Sequence, residues 1–354
     1  MFEMRLDGPG QALTPFNPPT PEPGPGQIRL KVRACGVCRT DLHVLDGELP
    51  LSGAPRVLGH EVVGVVDALG RGVRSLRKGA RVGIPWLART CGHCRFCLAG
   101  QENLCDDPDF TGYTVDGGFA DTIIADARAA LPIPKVFTDA EAAPLLCAGL
   151  IGYRAWRMAC DATPGGVKIV GLYGFGAAAH LLAQLLIHDG RTVYAFTKPF
   201  DDRAMDFAKA LGCAWAGGSD EEPPDVLDTA IIFASDGALV PKALAAVRKG
   251  GSVVCGGIHM SQIPAFSYDL LWGERKLLSV ANLRRQDGLD YLPLAAKVGI
   301  RPRVRLYPLG DANEALDDLR NGRLQGAAVL VPPPVNRDGA IDQHPGGRAL
   351  QAET

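Results

Sequence analysis

Chemistry-bearing side chains crowd the stretch Cys35–His43, CGVCRTDLH, which holds two thiols, a hydroxyl, an imidazole, a cation and a carboxylate. Gly59-His60-Glu61 follows about twenty residues on, and Cys147 comes later inside the apolar run PLLCAGLIGY. Cysteine, histidine and cysteine form a ligand set suited to a catalytic zinc, which takes three protein ligands and keeps a fourth position open. A zinc so held polarises carbonyls and lowers the pKa of an oxygen ligand. Thr40 and His43 stand just beyond Cys38, where a hydroxyl and an imidazole could pass an alcohol proton outward. A lone Thr or His is more often a satisfied structural residue; the place of these two beside a candidate ligand favours the relay. Cys35 reads as a packing thiol.

A second thiol cluster, CGHCRFCLAGQENLC, places Cys91, Cys94, Cys97 and Cys105 at the spacing C-x2-C-x2-C-x7-C. Four thiolates this close can close a tetrahedral structural zinc site on a loop. Cluster-binding ferredoxin runs begin similarly, but their fourth spacing is shorter and proline follows. Here Asp106 follows Cys105, so structural zinc is the expectation, ahead of an iron–sulfur cluster or free thiols.

A third motif is G-x-G-x-x-A. Val167 to Tyr173 (VKIVGLY) is apolar apart from Lys168 and suits a central parallel strand. Gly174, Phe175, Gly176, Ala177, Ala178 and Ala179 follow at once, then the apolar helical stretch HLLAQLLIHDG. A glycine turn occurs in many α/β cores, but strand before and helix after are the context of a dinucleotide fingerprint. Gly174 permits the tight turn, Gly176 admits a pyrophosphate to the helix N-terminus, and Ala179 lets helix pack on strand. The acid that binds the adenine ribose should end the second strand, about twenty residues on. Thr197 stands there, followed by Lys198, with Asp201 and Asp202 slightly late and Arg203 beyond. A carboxylate repels a 2′-phosphate, whereas a hydroxyl able to donate one bond and nearby cations do not. The expectation is NADP over NAD, the alternative being a later Asp that reaches the ribose.

The elements that must position these groups change character along the chain. Gln27–Ala34 alternates apolar and charged residues, as a half-buried strand does, and leads into the thiols. Val57–Val66 reads as one buried strand with bends or bulges at its glycines, His60 near its start. Ala80–Ile84 is another short strand, so the first third is β-rich and irregular. From about residue 150 strands alternate with helices: Thr192–Phe196, then Ala204–Leu211; Thr229–Phe233, then Leu239–Arg248; then Ser252–Cys255. Such alternation indicates a doubly wound parallel sheet. Asp287–Val298 reads as helix, and the strand-like AAVLV ending at Val331 is expected to rejoin the first domain. The tail 332–354, Pro/Gly-rich and polar, is expected to be disordered.

The 354 residues exceed what one core usually supports, so two domains are the default. A net charge of -2 gives no reason to expect nucleic acid or an anionic membrane as partner. No apolar stretch is long enough to span a membrane. The N-terminus lacks a basic segment followed by an apolar run, so a cytoplasmic protein is expected. Ten cysteines in a reducing compartment then argue for metal binding or buried thiols; Cys160, Cys213 and Cys255 are read as structural or buried. His93, His180, His188, His259 and His344 have no ligand-like surroundings in the sequence.

In order and spacing, CGVCRTDLH, GHE, the four-cysteine lobe, PLLCAGLIGY and YGFGAAAH resemble the zinc-dependent alcohol dehydrogenases of the medium-chain dehydrogenase/reductase superfamily, over about residues 25 to 331. The resemblance implies an α/β fold with a GroES-like β-rich catalytic domain, 1–150 and 284–331, and an inserted Rossmann-type cofactor domain, 151–283. It implies two zinc ions per chain. Cys38, His60 and Cys147 resemble the catalytic ligands, and Glu61 the carboxylate behind the metal. Cys91, Cys94, Cys97 and Cys105 resemble the structural ligands. Thr40 resembles the hydroxyl that meets the substrate oxygen, His43 the end of a proton relay through the nicotinamide ribose, and Arg39 the basic residue near the cofactor pyrophosphate. Homodimers and homotetramers are both usual in such a family. Three departures stand out: Thr197 in place of the usual acid, Ile151 where a threonine near the nicotinamide is common, and a strand near Gly326-Ala327 that lacks the arginine often found there against the pyrophosphate.

The reading is a zinc-dependent, NAD(P)-dependent alcohol dehydrogenase interconverting small primary or secondary alcohols with aldehydes or ketones. A polyol dehydrogenase ranks lower, since those often place a carboxylate where this chain has Cys147. A non-catalytic nucleotide-binding protein on the same scaffold would be expected to lose Cys38, Thr40 or His60. Trp86 and Tyr113 are candidates for the pocket wall.

Overall fold

A computed structural model describes residues 1–51 and 53–333. The expected disordered tail therefore lies, from residue 334 on, outside the described residues.

The strand Gln27–Val37 is the spine of the β-rich half. Its side chains alternate between buried and more exposed positions up to Arg33, then stay buried from Ala34 to Val37. It pairs antiparallel with Glu61–Leu69 and Ala327–Val331, and at its outset with Thr122–Asp126. The sheet runs Leu131–Pro132, Arg81–Ile84, Glu61–Leu69, Gln27–Val37, Ala327–Val331, Val304–Pro308. AAVLV thus rejoins the first half of the chain, as expected.

Two local expectations are corrected. The strand expected from Val57 to Val66 is broken: Arg56–Val57 pairs with Glu3–Leu6, and the long strand begins only at Glu61. The interruption is a turn at Gly59, whose φ of 94 L side chains rarely adopt. A Cβ there would also lie 2.4 Å from the Phe119 ring and 2.7 Å from Cys35 Sγ. The strand expected to stop at Ala34 instead continues to Val37, carrying Cys35 and Gly36 opposite Val62 and Glu61.

The second half is a six-stranded, wholly parallel sheet in the order Trp215–Gly218, Thr192–Thr197, Ile169–Tyr173, Leu227–Ile232, Val247–Cys255, Lys276–Ser279. This is the doubly wound Rossmann-type order, with the first βα turn central. The expected helix Leu239–Arg248 ends at Ala246, because the next strand starts at Val247 rather than Ser252.

The helix Ala148–Ala162 joins the halves. Its buried residues, Leu150, Tyr153, Ala155, Trp156 and Ala159 among them, share one core with Leu131 and Leu146 on one side and Val170, Leu182 and Leu186 on the other. Fully burying each such Leu contributes roughly 1.5–3 kcal/mol. The helix Arg285–Val298 packs between the halves: Leu131 lies against Gly288, and the Tyr291 ring against Gly149 and Tyr153. Cys213 is buried as expected, but Cys160 is exposed on the last turn of Ala148–Ala162 and Cys255 is half-buried.

Candidate active site

Three segments converge on one point. Cys38 directly follows the spine strand and N-caps the helix Arg39–Leu45. His60 and Glu61 sit where the Gly59 turn enters the next strand. Cys147 precedes the helix Ala148–Ala162 with its side chain free of any capping bond. One ligand atom from each of Cys38, His60, Glu61 and Cys147 lies within 4.8 Å of the others, and the two sulfurs are 3.9 Å apart. Among the described residues, both His60 ring nitrogens and Glu61 Oε2 are buried without a hydrogen-bond partner. Buried polar atoms rarely stay unpaired. These groups are the set a zinc ion takes, and a cation among them would pair one His60 nitrogen and face the Glu61 carboxylate, leaving the other nitrogen to Asp41.

Asp41 organises this point from below, and its role was not read from the sequence. Its buried carboxylate accepts the Cys38 N–H (Oδ2, 2.8 Å) and the Gly59 N–H (Oδ1, 3.1 Å). Its Oδ1 is also 3.3 Å from His60 Nδ1, near enough to pair electrostatically but not aligned as a hydrogen bond. One carboxylate so ties two ligand-bearing segments together and faces the ring nitrogen that should carry the proton if Nε2 ligates.

Charge at the site is balanced only as a group. The Cys147 hydrogen bond holds the Cys38 thiol well below its usual range, and Cys147 is pushed well above its own. Burial drives His60 down, but the neighbouring charges of Asp41 and then Cys38 outweigh it and leave His60 well above the ordinary range. Burial, then the Cys38 charge, pushes Glu61 well up. The packing around the Glu61 carboxylate leaves no room for a side chain at Gly36.

Thr40 and His43 lie on the buried face of the helix Arg39–Leu45. Thr40 Oγ1 is 3.8 Å from Cys38 Sγ. His43 Nδ1 hydrogen-bonds Glu48 Oε2, and its ring lies 5.0 Å from that of His259, from the cofactor half. Neither Glu48 nor His259 was singled out from sequence. Arg39 is exposed on the same helix. Trp86 packs edge-on against His60 at 5.0 Å and stacks on Phe110 and Tyr113. The two candidate wall residues therefore do meet, beside the ligand set.

The four-cysteine lobe is also assembled. One sulfur from each of Cys91, Cys94, Cys97 and Cys105 lies within 4.8 Å of the others. Backbone N–H groups point at three of them: Cys94 to Cys91 Sγ at 3.3 Å, Cys97 to Cys94 Sγ at 3.5 Å, Cys91 to Cys105 Sγ at 3.3 Å. The Cys97 and Asp106 N–H groups pull the Cys94 thiol down to about 6. The lobe is anchored through Asn103 Nδ2, which donates to the Ala281 carbonyl, and Glu102, which accepts the Arg285 N–H.

In the other half, Gly174 has φ 87, and a Cβ on it would lie 2.8 Å from Ala234 N, so the turn requires glycine. At Gly176 a Cβ would meet nothing within 4 Å. Gly176 N-caps the helix Ala177–His188 without a side-chain cap, leaving N–H groups free beside open space. Phe175 and Ala179 are buried beneath the turn and Ala177 is half-buried. That is the cradle a pyrophosphate needs. The donor role expected for Thr197 is corrected. Thr197 is only 3% exposed, and its hydroxyl lies 3.0 Å from the Lys198 carbonyl and 3.3 Å from the Gly217 carbonyl. Its one proton is committed to the backbone. Lys198 and Arg203 are exposed, as a phosphate-facing pair must be.

The profile of the alcohol dehydrogenase GroES-like domain matches residues 24–135. "Probable alcohol dehydrogenase AdhA" of Mycobacterium tuberculosis (strain CDC 1551 / Oshkosh) is 43% identical over 317 residues, which cover 88% of this chain and 90% of that protein. This chain belongs to the medium-chain alcohol dehydrogenase family. Among solved structures, the cobalt- and zinc-bound thermostable alcohol dehydrogenase of Pyrobaculum aerophilum superposes with a TM-score of 0.84 at 25% identity, over 94% of this chain and 99% of that one. The acetophenone reductase of Geotrichum candidum NBRC 4597, in complex with NAD, gives 0.82 at 28% identity, over 93% and 96%.

As an alcohol dehydrogenase the chain is an oxidoreductase acting on small alcohols and aldehydes. No helix among the described residues of this dehydrogenase is long and apolar enough to cross a membrane.

Proposed function

We propose that this alcohol dehydrogenase interconverts primary or secondary alcohols with aldehydes or ketones, using a catalytic zinc held by Cys38, His60 and Cys147 and a nicotinamide dinucleotide held at the Gly174–Ala179 turn. The observation that carries the reading is the meeting of two thiols, an imidazole and a carboxylate, with both His60 nitrogens buried and unpaired among the described residues. When bound, zinc supplies a Lewis acid for the substrate oxygen, and the dinucleotide gives or takes the hydride.

The chain's own residues do the rest. Glu61 stands behind the ligands and offsets charge there. Thr40, beside Cys38, holds the proton of an alcohol presented at the ligand set, and His43 takes it onward. Trp86, stacked with Phe110 and Tyr113, shields the His60 side from water. The half carrying the ligands is taken as 1–150 with 284–331, and the cofactor half as 151–283, which sheet membership supports.

Cys91, Cys94, Cys97 and Cys105 hold a second, structural zinc in this reading; the aimed N–H groups and the anchoring of the lobe support it. NADP is favoured over NAD because no carboxylate ends the Thr192–Thr197 strand and Lys198 is exposed next to it. Assembly as a homodimer or homotetramer is carried over from the resemblance. Alcohol-dependent growth of the near-ultraviolet band of reduced nicotinamide tests the reading, with a panel of short, long and aromatic alcohols and both cofactors. A zinc-loaded chain that reduces neither cofactor with any of them overturns it. Turnover confined to polyols would move the chain to the polyol dehydrogenases.

A further inference from the structure

His43 closes the buried face of its short helix, and the chain then folds back over it. Gly47, at φ 78, reverses the backbone after Asp46, and the Leu49 N–H donates to the His43 carbonyl at 3.0 Å. The Tyr113 hydroxyl donates to the Pro50 carbonyl at 2.8 Å, which pins the far side of this turn. The reversal leaves Glu48 one residue past the glycine, with its Oε2 in hydrogen-bond contact with His43 Nδ1. The His43 side chain is 9% exposed and that of Glu48 46%, so this carboxylate joins a buried imidazole to solvent. From the cofactor half, the His259 ring tilts at 45° against His43 at 5.0 Å. That loop is itself tied down: the Ser261 N–H donates to the Ser235 carbonyl at 3.0 Å and the Gly237 N–H to Ser261 Oγ at 2.9 Å.

We infer that Glu48 is a positioning residue of the proton relay, which holds His43 as the Nδ1–H tautomer and keeps Nε2 as its basic nitrogen. The inference rests on the proposed reading, in which His43 takes the alcohol proton. Nδ1 donates to a carboxylate that can only accept, so the neutral ring carries its proton there. Nε2, on the far side of the ring, keeps its lone pair. When Nε2 takes up one proton the ring becomes an imidazolium, and the Glu48 charge stabilises it across the hydrogen bond. Loss of that same proton from Nε2 to water restores the starting tautomer, with no net change in Glu48. Besides Glu48, the ionisable groups around His43 are His259, against its ring, and Arg39, which acts on Glu48 from the same helix; Asp46 is paired with Arg320. The bond from His43, and then the charges of His43, His259 and Arg39, hold the Glu48 carboxyl below its ordinary range.

The test uses the full-length, zinc-loaded protein with 15N-labelled histidine. Ring-nitrogen chemical shifts report the tautomer without any turnover, and pH–rate profiles are measured alongside. Wild type should show His43 protonated at Nδ1. Glu48→Gln keeps an acceptor but removes the charge: it should keep the tautomer and lower kcat at neutral pH, with partial recovery at high pH. Glu48→Ala should lose the tautomer preference and roughly ten- to hundredfold in kcat, by analogy with the loss when the partner that orients a metal-bound histidine is removed. His259→Ala leaves the His43–Glu48 bond in place and should leave the tautomer as it is. An Nε2–H tautomer in wild type, or an unchanged one in Glu48→Ala, overturns the inference. Should Glu48→Ala fail to fold, an unaltered pH–rate profile in Glu48→Gln overturns it instead. Absence of alcohol turnover in wild type removes the functional reading, a result the tautomer measurement keeps separate.

Discussion

Glu61 Oε2 occupies the space that a side chain on Gly36 would need: a Cβ at Gly36 would lie 1.8 Å from that oxygen. The two residues face each other across the ladder between Gln27–Val37 and Glu61–Leu69. Gly36→Ala should therefore push Glu61 out of place. Overpacking of this kind costs typically about 1–3 kcal/mol, so the fold should survive with a lowered Tm. Turnover and the rate of zinc removal by chelator should both change, because the displaced group is the carboxylate behind the ligands. Wild-type metal exchange and turnover in this variant would separate Glu61 from the metal.

The two cysteine sets should behave differently when broken. Cys38→Ser is expected to abolish turnover while the circular dichroism spectrum stays close to wild type. Cys94→Ser is expected mainly to lower Tm, because a closed four-thiolate site contributes folding energy directly. Metal analysis of the loaded wild type should give two zinc ions per chain; one or none would count against the pair of assignments.

His43→Ala should slow turnover at neutral pH by about 10²–10⁴-fold, the usual worth of general acid–base assistance. Higher pH should restore part of the rate, as hydroxide takes over the proton. A pH–rate profile matching wild type would remove His43 from the relay.

Cofactor choice should now turn on Lys198 rather than Thr197. A charge-assisted bond to phosphate is worth about 1.5–3 kcal/mol, and about 1.4 kcal/mol is tenfold in affinity. Lys198→Ala should thus lower kcat/KM for NADP about tenfold or more and leave NAD nearly unaffected. Thr197→Val, which removes a hydroxyl already committed to backbone carbonyls, should leave the NADP/NAD ratio unchanged. A wild type that prefers NAD would point to Asp201 or Asp202 reaching the ribose.

His180 makes stability depend on pH. It is fully buried on the helix Ala177–His188, its Nε2 accepts the Arg303 N–H at 3.3 Å, and burial lowers its pKa to about 4. In the unfolded chain a histidine titrates near about 6.5. The folded value is the lower one, so its full stability is present above about 6.5 and is lost as pH falls towards 4. The loss should reach about 3 kcal/mol at one pKa unit per 1.4 kcal/mol. Urea midpoints between pH 7 and 4 should fall less steeply in His180→Gln, whose amide can still accept a backbone N–H. Equal slopes would show that His180 titrates normally.

The sequence by itself determined the parts of this dehydrogenase that are local. Thiols at fixed spacing, a glycine pair between strand and helix, and a histidine beside a glycine turn carry their chemistry within a few residues. There the backbone geometry follows from residue type: Gly59 and Gly174 both take positive φ where L side chains rarely go. The period-2 and helix-like patterns likewise marked the β-rich half and the parallel sheet, although the break before Glu61 and the extension to Val37 did not show in them. Only the tertiary structure decided which partner each group meets. Asp41 reaches both the Cys38 and the Gly59 backbone, Glu48 returns onto His43 over a glycine reversal, and His259 comes from the other half of the chain. Thr197 looked free in sequence, yet the neighbouring strand Trp215–Gly218 supplies one of the carbonyls at its hydroxyl. The physical reason is range. Residue type fixes what a side chain can donate, accept or ligate, whereas packing between distant segments fixes which of those capacities is already used.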